Sequence, residues 1–167
     1  MKTIILAVLI AQAGWSTFRA TDDRMSVSTP CVLTVDTTPP PPKIPGEPSS
    51  TTYMYSCSTA GNVEYYFIAW VDYEAGLKLD IPGELKANRD NTLKSITGAT
   101  LLTTSDITYQ GRPALDFTAN IQSKFLISSR VVMQGRRPYQ VAAMTPLGQD
   151  HSENIRRFLD SLTLTAP

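Results

Sequence analysis

Histidine and cysteine are almost missing from this chain: it has one His and two Cys in 167 residues. A zinc site draws on about four such ligands, so the sequence excludes a Cys/His metal centre. Cys31 and Cys57 are too far apart for a CxxC redox pair. His151 stands between Asp150 and Ser152. Neighbours in sequence do not make a triad, because a nucleophile needs its base within hydrogen-bond reach and an oxyanion site beside it. Asp150 reads as a helix cap and His151 as first-turn surface. The glycines at 76, 83 and 98 are separated by charge and hydrophobes, so no loop cradles phosphate. The acids Asp72, Glu74 and Asp80 lack the oxygen-rich spacing of an EF-hand. No catalytic constellation emerges, so a non-catalytic role is expected, with no metal and no cofactor.

An excess of charge of either sign is missing too. Fifteen basic residues balance fifteen acidic ones, which gives no reason to expect a nucleic-acid partner. A run long enough to span a bilayer is also missing, so no stable transmembrane anchor is expected. The one apolar stretch, residues 4–11 behind Lys2, has the form of a secretory leader, read as residues 1–20. Cleavage after Ala13, in Ala11-Gln12-Ala13, and cleavage after Ala20 are both open, although Phe18 is a poor residue three places before the second. Cys31 follows Ser28-Thr29-Pro30, which is not a lipobox. One even cysteine pair behind a leader predicts a Cys31–Cys57 disulfide and a secreted or periplasmic protein.

What the chain does have is pattern. Leu115, Phe117, Ala119 and Ile121 alternate with Asp116, Thr118, Asn120 and Gln122, a period of two that gives one apolar and one wet face. Residues 125–133 and 138–144 continue as strands around a turn at Gln134-Gly135-Arg136-Arg137, where glycine supplies positive φ. Upstream, residues 26–35 read as a first strand, made irregular by Pro30. Residues 51–58 and 63–73 read as a hairpin about Thr59-Ala60-Gly61-Asn62, and residues 99–109 as a further strand. The hairpin aromatics Tyr53, Tyr55, Tyr65, Tyr66, Phe67, Trp70 and Tyr73 are expected to pack in the core or across strands. Residues 37–50 hold six of the twelve prolines and read as a stiff polyproline II surface loop.

Two helices complete the pattern. The first, 84–96, carries a weak apolar stripe, with Glu84 at its start and Gly98 as its stop. The second is framed by Asp150 and Glu153 as a capping box and places Ile155, Phe158, Leu159 and Leu162 on one side. That stripe is the obvious cover for the apolar face of the meander. The fold class is therefore α+β: an antiparallel sheet of about six or seven strands covered by two helices, forming a single exported domain over residues 26–164.

The order of strand, long loop, hairpin, helix, meander and closing helix resembles the PsbP-like fold superfamily. That group includes a lumenal extrinsic subunit of photosystem II and many exported bacterial proteins of unknown role. The resemblance rests on Gly111-Arg112-Pro113-Ala114-Leu115-Asp116-Phe117, Arg137-Pro138-Tyr139-Gln140-Val141 and Arg157-Phe158-Leu159-Asp160-Ser161-Leu162. It implies a sheet with helices packed on it and no photosystem function. The long proline insertion and the missing lipobox depart from the commoner anchored forms.

The remaining functional lead is arginine. From Gly111 onward there are seven basic and four acidic residues, and Arg112, Arg130, Arg136, Arg137, Arg156 and Arg157 are the candidate ligand-binding residues. Two roles follow. One is a domain for protein interaction or assembly in an envelope complex, with an envelope protein as partner. The other is a module that binds an anionic polymer or lipid headgroup through these arginines. Asp116 and Arg130 are expected to meet across neighbouring strands as a structural pair.

Overall fold

The computed structural model describes residues 14–35 and 50–165. Ten strands and two helices follow in the order β1 (Ser16–Arg19), β2 (Met25–Thr29), β3 (Thr34–Val35), β4 (Ser50–Ser58), β5 (Tyr65–Tyr73), α1 (Ile81–Ser95), β6 (Ala99–Tyr109), β7 (Arg112–Ile121), β8 (Phe125–Gln134), β9 (Arg137–Pro146), α2 (Ser152–Asp160) and β10 (Thr163–Leu164). They form an antiparallel seven-stranded sheet, β3-β4-β5-β9-β8-β7-β6, and a three-stranded sheet, β1-β2-β10. This is the α+β architecture expected, with a second small sheet that the pattern did not announce. The polyproline stretch, residues 37–49, and the apolar run 4–11 lie outside the described residues.

Local chemistry explains the meander. Gln110 and Gly111 both take positive φ between β6 and β7, and Gly135 does so between β8 and β9, which suits the right-handed twist of a hairpin. Between β7 and β8, Gln122 and Ser123 are left-handed, and the Ser123 N–H donates to Asn120 Oδ1 at 2.7 Å. Each turn reverses the chain, so the β6–β7 and β8–β9 turns share one end of the sheet.

The sheet is apolar on both faces. One face presents Leu115, Phe117, Val131 and Met133 to Leu85, Leu79 and Ile81 of α1 and the segment before it. The other presents Tyr66, Trp70, Val132 and Val141 to Phe158 and Leu162, and to Met25 and Val27 of the small sheet. The closing helix therefore does not cover the Leu115 face, as the stripe pattern suggested. It lies on the opposite side, the side of Asp116 and Thr118, and α1 covers the Leu115 face despite its faint stripe. A period of two shows which residues share a face but not what packs on that face.

Other boundaries moved for physical reasons. The expected first strand, 26–35, is two strands in two sheets. Pro30 cannot donate to a ladder, and the Cys31–Cys57 disulfide carries the chain from the small sheet to β4. With a sequence separation of 26, closing this loop contributes about 3–4 kcal/mol in the chain-entropy model. Helix α1 begins at Ile81, with Pro82 in its first turn, where a missing N–H costs nothing. A Cβ at Gly83 would press on the Asp80 carboxylate, a side-chain end that can turn aside. Helix α2 starts at Ser152 with His151 in the cap position. The expected capping box is replaced by one bond, in which the Ser152 N–H donates to Asp150 Oδ1 at 2.9 Å.

Phe158 is wholly buried, with Leu162 beside it, and its ring meets Tyr66 edge-on at 5.0 Å. Replacing Phe158 with alanine should cost about 3–5 kcal/mol through lost burial and the cavity left behind. Replacing exposed Lys86 with alanine should change stability by under about 0.5 kcal/mol. Paired urea melts check this, and equal midpoints for the two variants would mean that α2 is not packed as described.

Candidate functional site

The six arginines are the residues the sequence singled out, and the fold gives most of them internal partners. Arg130, on β8, donates from Nε and Nη2 to the two carboxylate oxygens of Asp116 at 2.8 and 2.9 Å, as its cross-strand register predicts. It also donates to Asp160 Oδ1 at 3.0 Å and to the Leu159 carbonyl, and it stacks on Tyr109 at 4.4 Å. Its side chain is only 11% exposed. Such a saturated fork is a structural tie between β7, β8 and α2.

Arg112, Arg136 and Arg137 are brought to one end of the sheet, each holding a different segment. Arg112 donates to the Gln110 carbonyl at 2.9 Å and to that of Leu164 in β10. Arg136, exposed, donates to the carbonyls of Leu77 and Glu74 in the β5–α1 connector. Arg137 pairs with Asp72 at 2.5 Å, with Asp22 in the β1–β2 turn, and with the Tyr139 hydroxyl at 3.0 Å.

Arg157 and Arg156 lie apart on α2. Arg157 covers the ring of Trp15 at 4.4 Å. Arg156 is exposed on the wall of a cleft of 480 Å³ between α2 and β6–β8. Asp116, Arg130 and Asp160 share that wall, so positive and negative charges balance there. The six arginines thus occupy two regions, not one patch.

A cluster missed by the sequence surrounds Glu64, which is buried at the start of β5. Its carboxylate accepts from Tyr66 Oη at 2.9 Å and Asn154 Nδ2 at 3.3 Å, and it bonds His151 Nδ1 at 2.6 Å. His151 is 13% exposed, not the surface residue its neighbours in sequence suggested. Burial, joined by the Glu64 bond and charge, pushes the Tyr66 phenol well above its usual range. The cluster pins α2 to the hairpin. No signal in the sequence pairs residues this far apart.

Two surfaces remain open. Strand β6 is an edge with eight of its eleven residues exposed, including Leu101 and Leu102. It has one bulge, between Leu101 and Thr103, and then runs in regular register along β7. The second is a groove of 490 Å³ between α1 and the β4-β5-β9 half of the sheet, with Tyr65, Phe67 and Met144 among its lining. Among the described residues, no three His, Cys, Asp or Glu side chains converge as a metal site. No described helix is long and apolar enough to cross a membrane.

The solution structure of cyanobacterial PsbP (CyanoP) from Synechocystis sp. PCC 6803 matches at a TM-score of 0.59 and 10% identity, over 93% of this chain and 95% of that one. The chain has the PsbP-like fold. Weaker likenesses are to the Saccharomyces cerevisiae Ran-binding protein Mog1p, with a TM-score of 0.45 and 9% identity over 92% and 96% of the two chains, and to a Pseudomonas aeruginosa protein of unknown function described as a putative regulator, with a TM-score of 0.43 and 10% identity over 78% and 82%. No family model and no curated protein matches the sequence. At such identities the PsbP-like likeness is one of architecture, and the arginine ties belong to this chain's own residues.

The Asp22–Arg137 tie yields a pH test. Partial burial raises the Asp22 carboxyl, but bonds from the Arg137 side chain and the Arg24 N–H, with both positive charges, outweigh it and hold it below the usual carboxylate range. A folded pKa below the unfolded one stabilises above the unfolded value, and that stability is lost as pH falls through the folded value. Between neutral pH and about pH 3, the parent should therefore lose more stability than Asp22→Asn. Urea melts across that range measure it, and parallel losses in both proteins would show that the pair has no coupling to folding.

Proposed function

We propose that this PsbP-like domain is an exported, non-catalytic module for protein interaction or assembly, and that a partner docks by adding a strand to β6. The observation that carries the reading is the bare edge itself. Natural sheets guard long edges with lysine, proline, inward charge, bulges or a covering element, and β6 has a single bulge near its start. The sequence of β6, ATLLTTSDITY, contains neither lysine nor proline, and among the described strands it is hydrogen-bonded on the β7 side alone. An extended chain would gain main-chain bonds there, and Leu101 and Leu102 would supply side-chain contact. The arginines favour this reading over an anionic ligand, because all but Arg156 already donate to, or stack on, groups of the same chain.

Export is supported by the Cys31–Cys57 bond, since disulfides persist in oxidising compartments. The leader then has to end before Trp15. Strand β1 pairs with β2 from Ser16 to Arg19, Trp15 packs on Tyr66, and Ala20 is buried. Cleavage after Ala13 keeps all of these contacts, and cleavage after Ala20 removes them. Sequencing the N-terminus of exported protein should give Gly14; a mature chain starting at Thr21, or one never processed, would refute this boundary.

For the docking edge, a photo-crosslinking residue at Ser105 should capture a discrete partner in the source cells. The adduct should vanish when Leu102 and Thr108 are both changed to lysine, with the melting temperature kept. An adduct that persists in the lysine variant, or none in the parent, would sink the β6 reading.

A further inference from the structure

The groove beside α1 owes its depth to one small residue. In the registers of β4, β5 and β9, Ala69 lies between Met54 and Gln140, so the sheet floor dips where a larger side chain would stand. The floor is apolar: Phe67, Ile127 and Met144 line it, with Ile96 at the helix end. The α1 wall is formed by Asn88, Asn91, Thr92 and Ser95. No Asp, Glu, Lys, Arg or His contributes to the lining. The volume is that of a small-molecule site, and the uncharged walls would leave an ionic group desolvated and unpaired.

The polar atoms also have a direction. Gln140 is 7% exposed. Its Nε2 donates to Thr92 Oγ1 and Ser129 Oγ, both at 3.0 Å. The single Thr92 hydroxyl hydrogen has two acceptors in reach, the Asn88 carbonyl at 2.9 Å and Gln140 Oε1 at 3.3 Å. One hydrogen serves one acceptor well, and the shorter bond goes to Asn88, which leaves Gln140 Oε1 short of a donor. Asn88 gives one of its two Nδ2 hydrogens to the Glu84 carbonyl at 2.9 Å, and its amide oxygen is a further acceptor. Ser95 Oγ donates to the Thr92 carbonyl at 2.8 Å. At its buried end, beside Gln140, the groove therefore offers an acceptor on an apolar bed, while the donors of Asn91 and Thr52 stand on exposed residues.

We propose that this groove binds a neutral, lipid-like molecule whose apolar body lies on the floor around Ala69 and whose single hydroxyl or amide N–H donates to Gln140. The site is independent of the β6 edge, because it lies on the β4-β5-β9 side of α1. It discriminates by charge and by hydrogen-bond direction. An alcohol gives Gln140 Oε1 a donor that it need not share with the Asn88 carbonyl. A ketone of the same length presents another acceptor to it, and a carboxylate adds a charge with no partner.

The probes are 1-decanol, 2-decanone and decanoate, each titrated into the isotope-labelled full domain. The readouts are the NMR shifts of the Gln140 side-chain amide and of the Ile127 and Met144 methyls. Decanol should move all three, 2-decanone should bind roughly tenfold more weakly for want of one hydrogen bond, and decanoate should not bind. Ala69→Phe should fill the dip and abolish the decanol shifts. Asn91→Lys, on the exposed helix rim, should weaken decanol binding without touching the sheet and serves if Ala69→Phe does not fold. Equal affinity for decanol and decanone, tight binding of decanoate, or shifts confined to other parts of the domain would overturn the inference. So would methyls that respond only to a protein captured at β6, since the groove would then hold a partner's side chain.

Discussion

The seven-stranded sheet has no wet face over its central strands, and the rest of the molecule answers to that. Tyr66, Ile68 and Trp70 of β5 point one way and Phe67 the other, and β9 repeats the arrangement with Val141 and Ala143 against Ala142. A sheet buried on one side can stop at two layers, but this one cannot. Helix α1 supplies one outer layer. Helix α2, with the small sheet of β1, β2 and β10, supplies the other.

The outer layers are short segments with little core of their own, and the arginines attach them. Arg130 ties α2 to β7, Arg112 ties β10, Arg137 ties the β1–β2 turn, and Arg136 ties the connector into α1. The planar guanidinium has five donors in a fixed fork, so one side chain can bond a carboxylate and a carbonyl from different segments. Removing one partner of a part-buried pair is costly because the other is left unpaired, which makes these ties specific as well as stabilising. The same economy of partners leaves β6 and the groove beside α1 as the surfaces with unmet bonding capacity.

Much of the architecture was legible. The strands at 51–58, 99–109 and 125–133, the two helices and the disulfide pair could be read from alternation, caps and cysteine count, and the Asp116–Arg130 pair from strand order. The arginines were visible as residue types, but their role was not. Whether a surface cation is a ligand site or a tie depends on which carbonyl or carboxylate lies opposite, and apart from Asp116 and Gln110 those partners stand 29 to 115 residues away. The Glu64–His151 pair, 87 residues apart, was invisible for the same reason.

The sequence by itself determined the local geometry: which residues alternate, where glycine turns the chain, where Pro30 interrupts a strand, and that Phe158 must be buried. These depend on φ, ψ and side-chain period, properties of neighbours along the chain. Only the tertiary structure decided which face each helix covers, that the first strand divides between two sheets, that Arg112, Arg130, Arg136 and Arg137 donate to backbone or carboxylate groups of other segments, and that Ala69 leaves a hollow beside Gln140. Each of these depends on the distance between groups far apart in sequence, and that distance exists only once the layers have packed.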